Sequence, residues 1–546
     1  MKKVLFYLTA MAGLCACSSV LEEPVLADLS QGDEATLTVS VDEATKVDIN
    51  DNDAYSSLSW NNSDKLALIS QDGSQTEVYS IKQYGASSCV FSGNAMTSTT
   101  VSILLPGNKY TKISDLEQKT YSDQEQNGNA SLAHLEYNAW LKNVSDYANV
   151  TFSQAWASAH GGTCFQNGCI KVRITLPTSM TGHQVSALSL KTDRATFRPS
   201  LYGSKTSSFG LSLKNVTIGQ DRNLTAYMMF PAEDISFASG QNLTVVLLVD
   251  KKYYMEKTVD MSNKTLLTGK MNVLTLNADN WVLKDMMTNQ VITPSITMDG
   301  IAGTDEWTIP HPGIVALTLP ENAYYTDLYN AYVYADSGWV FLKMEFFMPY
   351  WNYSLPFNIM FDIDGNPATG ATVTSHTYEN GDEKMYWSPM GVEWYFESPG
   401  LSNGVDNFYD WTCDAVTGKN QMQWYKYTGT NGGDIFSGGL NRMYYTTEVP
   451  NQLTDRYVKA IGILDQVHEK AVLEVRIRRF SLEARNTAAS KMRIGFKYMS
   501  TPRSTSVSGW GFYGLLPQGP KTGGVRQLVP MADVYLPPYQ DYEWPF

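Results

Sequence analysis

The sequence has few cysteines, and their placement excludes a disulfide-stabilised scaffold. Of the six cysteines in 546 residues, Cys15 and Cys17 lie beside an apolar N-terminal run, which leaves four for the rest of the chain. Cys164 and Cys169 flank Asn167-Gly168, a pair typical of a two-residue β-turn. Such a hairpin would offset the two Cα atoms diagonally by about 7–8 Å, which favours free, buried thiols over a disulfide.

The chain also has a shortage of basic residues. Its 41 Lys and Arg against 55 Asp and Glu give a formal net charge of −14 at pH 7. Nucleic acids and anionic membrane surfaces bind basic patches, so we expect neither as a partner. Helical periodicity is scarce, whereas 33 Tyr, 40 Gly and many short alternating segments favour strands. We therefore predict an all-β protein.

Beyond the N-terminus, no apolar run in the sequence is long enough to cross a bilayer. Lys2 and Lys3 precede an apolar run over residues 4–14, which is typical of a secretory signal. The run ends in Leu-Cys-Ala-Cys, which resembles the bacterial lipoprotein box. This resemblance makes Cys17, which follows the small Ala16, the acylated residue; a plain cleaved signal is the alternative.

The residues after Cys17 indicate where the protein is displayed. Residues 18–23 (SSVLEE) resemble the acidic export signal of Bacteroidetes surface lipoproteins. We interpret residues 1–17 as a lipoprotein signal peptide and residues 18–34 as a tether. The expected location is the outer membrane, with a lipid anchor and the protein facing outside the cell, because several acyl chains together anchor stably.

Short alternating segments with turns between them run from residue 35 to residue 283. Leu37 and Val39 alternate with Thr36 and Thr38, as in a half-buried strand. The pattern predicts two β-sandwiches, over residues 35–165 and 166–283, followed by a linker over residues 284–295.

Five motifs in this half resemble, in order, those of the fimbrillin-like proteins of Bacteroidetes. They are residues 59–66 (SWNNSDKL), 91–93 (FSG), 105–106 (LP), 123–126 (DQEQ) and 267–274 (LTGKMNVL). The resemblance implies two tandem transthyretin-like or Ig-like sandwiches. Shaft subunits of that family are cut after an N-terminal arginine, but the first arginine here is Arg173, inside the predicted fold. We therefore expect an uncleaved anchored member or a display stalk.

The C-terminal part resembles a second family. Residues 296–300 (ITMDG) and 305–307 (DEW) are similar to the entry strand of family 9-like carbohydrate-binding modules, and residues 357–364 and 473–478 also match in place. The resemblance implies a larger jelly-roll-type β-sandwich over residues 296–546. Within it, residues 332–348 alternate strongly, which predicts a strand with Val340, Leu342, Met344, Phe346 and Met348 on one face.

Tryptophan and tyrosine are concentrated between residues 332 and 427. Each buried indole or phenol needs a hydrogen-bond partner, so the surplus indicates that some rings lie at the surface. Sugar rings stack on exposed aromatic faces, which makes these rings candidate glycan ligands. The candidates are Trp351, Tyr353, Tyr386, Trp387, Trp394 and Trp424. Packing in a core or between sheets is the alternative for each ring.

One cation site is predicted beside these rings. Asp362 and Asp364 are two residues apart on a predicted strand and so point to the same side. Asn366 follows in the next turn, and clustered oxygen ligands at such a corner suit calcium. We predict a structural calcium on these three residues and no required cofactor. The alternative is a solvated turn in which aspartate caps the backbone.

The carboxylates do not indicate an enzyme. A glycosidase needs two carboxyl groups about 5–9.5 Å apart, whereas Glu393 and Glu397 would lie about 13 Å apart on one strand. We predict a non-catalytic surface lipoprotein that captures polysaccharide, beside an outer-membrane glycan importer. The alternative is a fimbrial anchor or tip adhesin with a protein partner such as a pilus subunit. An enzyme with an unrecognised site is the third hypothesis.

Overall fold

The computed structural model describes most of the chain. The described ranges are residues 34–40, 48–52, 55–59, 62–85, 88–297, 304–320, 328–347, 357–374, 386–398, 423–435, 440–443, 458–465, 470–499, 513–522 and 525–540. Strands dominate these ranges, and the helices in them are short, so the predicted all-β class is confirmed. No helix within these ranges has both the length and the apolar composition to cross a membrane.

The elements follow one another in this order. Up to residue 166 they are β1 (Glu34–Ser40), β2 (Asp48–Asn52), β3 (Tyr55–Ser59), β4 (Lys65–Ser70), β5 (Thr76–Gln83), β6 (Ser88–Asn94), β7 (Thr100–Leu105), α1 (Ile113–Glu117), β8 (Glu125–Asn127), β9 (Ala139–Ser145), β10 (Asn149–Thr151), α2 (Gln154–Ala159) and β11 (Thr163–Gln166). Up to residue 285 they are β12 (Gly168–Thr175), a 3-10 helix (Thr178–Met180), β13 (Val185–Thr192), β14 (Ser208–Lys214), β15 (Asn223–Phe230), β16 (Ile235–Ser236), β17 (Asn242–Val249), β18 (Tyr253–Asp260), β19 (Thr265–Leu266), β20 (Met271–Leu276) and β21 (Val282–Asp285). The remainder are α3 (Thr304–Thr308), β22 (Val315–Thr318), β23 (Leu328–Ala335), β24 (Trp339–Phe347), β25 (Phe357–Asp362), β26 (Trp394–Ser398), β27 (Gln423–Tyr427), β28 (Leu440–Met443), β29 (Val458–Asp465), β30 (Lys470–Arg478), β31 (Ser490–Met499), β32 (Tyr513–Leu516), β33 (Lys521–Thr522), β34 (Val525–Arg526) and β35 (Ala532–Leu536).

The chain forms two compact units. The first comprises Met1–Gln118 and Tyr137–Gln166, and the second comprises Lys119–Glu136 and Asn167–Phe546. The boundary after Gln166 lies one residue from the predicted one. The prediction missed that Lys119–Glu136 joins the second unit, because a short connector has no hydrophobic pattern that assigns it to either sandwich.

The first unit is built on one eight-stranded sheet, in the order β10-β1-β6-β5-β4-β7-β9-β11. Leu37 and Val39 on β1 and Leu141 on β9 lie near opposite ends of this order, yet belong to one buried core. The sheet must therefore curl so that its two ends share a core. The predicted alternation of β1 is confirmed, since Leu37 and Val39 are buried.

The second unit begins with a sandwich of two sheets. One has the order β15-β12-β20 and the other β21-β18-β17-β13-β14-β8. β21 pairs with β18, and the backbones of Lys284 and Val291 form an isolated antiparallel β-bridge. Part of the segment 284–295, predicted as a linker, is thus paired to this sandwich.

The three described cysteines, Cys89, Cys164 and Cys169, are not in disulfides, in agreement with the prediction for Cys164 and Cys169. Cys169 is buried as predicted, whereas Cys164 is only half-buried. The predicted hairpin around Asn167-Gly168 is wrong. β11 pairs with β9 in the first unit, whereas β12 pairs with β15 and β20 in the second. The Asn-Gly pair therefore lies where the chain passes from one sheet to another.

Side-chain amides cover the free edge of β15. Gln126 donates from Nε2 to Thr225 O (2.9 Å) and accepts at Oε1 from Tyr227 N (3.0 Å). Gln124 accepts from Met229 N (2.6 Å) and donates to Met229 O (2.8 Å). Unpaired strand edges attract other strands, and buried backbone groups need partners. The Gln-rich connector at 123–126 thus supplies hydrogen bonds to an edge of β15 that is not paired with any strand among the described residues.

Replacing Gln126 by Ala should destabilise the second unit. Its side chain is fully buried, and its loss leaves the Tyr227 N–H and two carbonyls short of a partner. We expect a loss of about 2–4 kcal/mol in the free energy of unfolding. Urea unfolding followed by tryptophan fluorescence measures it. The neighbouring Glu125→Ala, at an exposed ion pair with Lys214, is the control and should change stability by about 0.5 kcal/mol or less. Equal effects of the two variants would contradict this role of Gln126.

The C-terminal part of the second unit is a larger sandwich. Its sheets have the orders β22-β23-β24-β30-β29 and β28-β27-β26-β25-β31-β32, with β35 also paired to β31. Val340, Leu342, Met344 and Phe346 on β24 point into the core between the sheets, as the alternation predicts.

A second apolar layer covers the outer face of the seven-stranded sheet. On β25, Phe357, Ile359 and Phe361 face the inner core, while Met360 faces outward. All six residues of β25 are nevertheless buried. The outer layer consists of Met360, Ala371, Tyr386, Trp387, Met390, Val392, Tyr395, Tyr427, Ile435, Leu515 and Met531.

Candidate functional site

Three of the six aromatic residues predicted to bind glycan are buried. Tyr386 and Trp387 are 0% exposed and Trp394 is 1% exposed, so the prediction that these three rings are surface platforms is wrong. Trp394 belongs to the inner core, and the other two belong to the outer layer.

The outer layer supplies a hydrogen-bond partner for Trp387 and packing contacts for Tyr386. Trp387 Nε1 donates to Pro517 O at 2.9 Å. The ring lies against Gly495 on β31, where a Cβ atom would come within 2.6 Å of Trp387 Cη2. Tyr386 packs on Trp387 edge-on at 5.9 Å, and Lys497 Nζ lies 5.2 Å from the centre of the Tyr386 ring. Packing in the outer layer thus explains part of the surplus of Trp and Tyr.

The other three candidates remain predictions. Trp351 and Tyr353 lie outside the described residues. Trp424 lies on β27, opposite Phe396 on one side and Met443 on the other, but its side chain is outside the described part.

Three carboxylates converge where β25 ends. One oxygen from each of Asp362, Asp364 and Glu393 lies within 4.8 Å of the others. We call these three residues the carboxylate cluster. Asn366, the third predicted ligand, is engaged in the turn, since its Oδ1 accepts from Ala368 N at 3.1 Å. Glu393 takes the place that the sequence assigned to Asn366.

Two glycines allow the turn after β25 to approach Glu393. Gly370 has a φ of +65°, and a Cβ there would lie 2.6 Å from Val392 O. A Cβ on Gly391 would lie 2.9 Å from Asn366 O. Glu393 N then donates to Phe361 O, and Ile363 N donates to Glu393 Oε2, both near the end of β25. The register between β25 and β26 therefore brings Glu393 to the two aspartates. No local sequence pattern shows this register.

The cluster has one cationic partner among the contacts of the described residues. Arg493 on β31 donates from Nε to Asp362 Oδ2 at 2.7 Å, and its Nη2 binds the same oxygen. Asp364 accepts from Thr369 Oγ1 at 3.0 Å. Within the described residues, Asp362 Oδ1 and Glu393 Oε1 are both buried without a hydrogen-bond partner.

Burial changes the acidity of two members of the cluster. It raises the pKa of Asp362 to about 6, although Arg493 acts in the opposite direction. It also raises the pKa of Glu393 to about 7, against the hydrogen bond from Ile363 and with a further upward contribution from the charge of Asp362. The folded protein therefore holds protons at a pH where the unfolded chain has lost them.

In the presence of a chelator, stability should fall as the pH rises from 5 to 8. The contribution of the two raised pKa values is fully present below about pH 4 and is lost as the pH passes through about 6 to 7. Glu393→Gln is neutral at every pH, so its melting temperature relative to wild type should rise with pH. Glu483→Gln, at an exposed glutamate of the same sandwich, is the control and should run parallel to wild type. A parallel course for Glu393→Gln as well would contradict the prediction.

A groove of about 1290 Å³ lies between the two sandwiches of the second unit. The smaller sandwich contributes Asp279 and the larger one Lys491, and Lys491 Nζ binds Asp279 Oδ1 at 2.9 Å across it. Tyr535 on β35 is 45% exposed and lies opposite Lys491 in the strand register. Arg493 also lines the groove, which joins it to the carboxylate cluster.

Comparisons with known proteins give little further guidance. No family model and no curated protein matches the chain. Among solved structures, it is similar to the tip fimbrial protein Mfa3 from Porphyromonas gingivalis with a C-terminal truncation, at 10% identity and a TM-score of 0.24. That alignment covers 46% of this chain and 98% of the other. A similarity this low establishes neither a shared fold nor a shared function, and the two sequence resemblances gain no support from a family model.

Proposed function

We propose that the protein binds glycan without cleaving it, and that the groove between the two sandwiches of the second unit is the binding site. The groove itself carries the proposal. Its volume of about 1290 Å³ exceeds what a small cofactor needs and suits several sugar units.

The lining of the groove has the mixed chemistry that sugars require. Tyr535 offers an exposed phenol ring, and Val282 and Val291 are 40% and 60% exposed on the other wall. Asn280 adds an exposed amide that can bind hydroxyl groups. Apolar sugar faces pack on such rings and aliphatic groups, while a few polar groups fix their orientation.

The charges in the groove favour binding over hydrolysis. Lys491 Nζ lies 2.9 Å from Asp279 Oδ1 and 3.6 Å from Asp533 Oδ2, so one ammonium group lies against both carboxylates. Carboxyl groups of glycosidases instead act as a pair across the scissile bond, one of them carrying a proton. Release of reducing ends from a bound polysaccharide would overturn this part of the proposal.

Tyr535→Ala should weaken glycan binding by about 5- to 150-fold, which corresponds to the loss of one stacked ring at about 1–3 kcal/mol. Affinity electrophoresis of the whole protein against a panel of polysaccharides measures the retardation. Tyr202→Ala is the matched control, because Tyr202 is 65% exposed and lies outside the groove lining. Trp394→Ala is a poor probe, since truncating that core ring should destabilise the fold by about 3–5 kcal/mol.

Other outcomes decide between the hypotheses. Retardation that is unchanged in Tyr535→Ala would move the site away from the groove. Absence of retardation on every glycan, together with co-purification of pilus subunits, would favour the fimbrial anchor or tip adhesin.

We further propose that acylation of Cys17 anchors the protein in the outer membrane, facing outward and beside a glycan importer. The lipoprotein-like box in the sequence supports the anchor. Cys17→Ser should abolish incorporation of radiolabelled palmitate and release the protein from membranes, whereas Cys15→Ser should keep the label. Label retained in Cys17→Ser would contradict the proposed anchor.

A further inference from the structure

We propose that the carboxylate cluster binds one calcium ion through Asp362, Asp364 and Glu393. The three ligands lie at the end of β25 and outside the lining of the glycan groove, although Arg493, which binds Asp362, also lines that groove. Asp362 is buried, Glu393 is half-buried and Asp364 is exposed. The ligand set differs from the one that the sequence predicts, because Glu393 replaces Asn366.

Two orphaned oxygens support the proposal. Asp362 is 0% exposed, and its Oδ1 has no hydrogen-bond partner within the described residues. Glu393 is half-buried, and its Oε1 atom is buried without a partner within the same residues. Buried polar atoms are almost always satisfied, and a charged one left without a partner is costly. A cation between the carboxylates supplies the missing partner for both oxygens.

The charge count points to a divalent ion. The three carboxylates carry −3 when ionised, and Arg493 on the Asp362 oxygen contributes +1. The remaining −2 equals the charge that one calcium ion neutralises. Like charges held within 4.8 Å repel one another unless a cation or a proton lies between them.

The size and chemistry of the cluster favour calcium. Calcium binds oxygen ligands at about 2.3–2.6 Å, so ligands on opposite sides of the ion lie up to about 5 Å apart. All three oxygens lie within 4.8 Å of one another, so they fit inside this span. Magnesium demands a near-ideal octahedron and keeps several waters, whereas calcium accepts irregular sets of oxygen ligands. All three donors are carboxylates, which are hard ligands that zinc and copper do not select.

The rigid surroundings preform the site. Ile363 N holds Glu393 Oε2 at 2.8 Å, and Thr369 Oγ1 holds Asp364. Asp362 is fixed by Arg493 from the neighbouring strand. Only one oxygen of each carboxylate needs to face the ion, and water can complete the coordination shell.

The test uses the full chain after chelator treatment. Isothermal titration with calcium chloride should give one site per chain, and terbium should bind there with luminescence sensitised by Trp394, the residue after Glu393. Glu393→Gln and Asp364→Asn should each weaken calcium at least about 10-fold. Magnesium should bind more weakly than calcium.

Asp285→Asn is the matched control and should leave calcium binding unchanged. Asp285 also caps a turn, accepting from Met287 N at 2.9 Å and Thr288 N at 2.8 Å, but lies outside the cluster. Circular dichroism at the binding temperature checks that each variant is folded. Absence of a calcium heat and of any melting shift in wild type would overturn the proposal, as would unchanged binding in folded Glu393→Gln and Asp364→Asn. Loss of glycan binding with intact calcium binding would leave this site standing.

Discussion

The outer layer on the seven-stranded sheet is the feature on which the chemistry of the C-terminal sandwich depends. A strand in a two-layer sandwich buries one row of side chains and exposes the other. Here Trp387 and its neighbours cover the second row, so that Asp362 on the outward side of β25 is as buried as Phe361 on the inward side. Carboxylates that would titrate normally in water are thereby held away from it.

This layer also determines which charges remain. Asp362 and Glu393 cannot reach solvent freely, so the negative charge of their carboxylates must be offset by Arg493, by protons or by a cation. Arg493 further lines the groove beside Lys491. The cluster and the groove therefore share one guanidinium group, although each is built mainly from its own residues.

The spacing of residues in the sequence predicted the features that depend on neighbouring residues alone. The alternation along β24 placed Val340 and Leu342 in the core, because side chains repeat every two residues on a strand. Asp362 and Asp364 come together as predicted, but Asp364 lies in the bend after β25, which ends at Asp362, and not on the strand. Glu393 was missed because it reaches the cluster through strand register. The burial of Trp387 depends on Gly495, more than 100 residues away, and on an added layer that composition does not reveal. The Asn-Gly pair near Cys169 resembled a hairpin turn, but its flanking strands pair in different sheets.

The connector between residues 119 and 136 has a consequence for how the polypeptide can be divided. It leaves the first unit after Gln118, supplies Gln124 and Gln126 to β15, and returns at Tyr137. A fragment that starts at Asn167 has every strand of its three-stranded sheet but not the amides that shield one side of it. Its uncovered backbone groups would then recruit strands from other copies, so such a fragment would aggregate, and dissection of this protein requires both segments of the second unit to be joined in a single reordered chain.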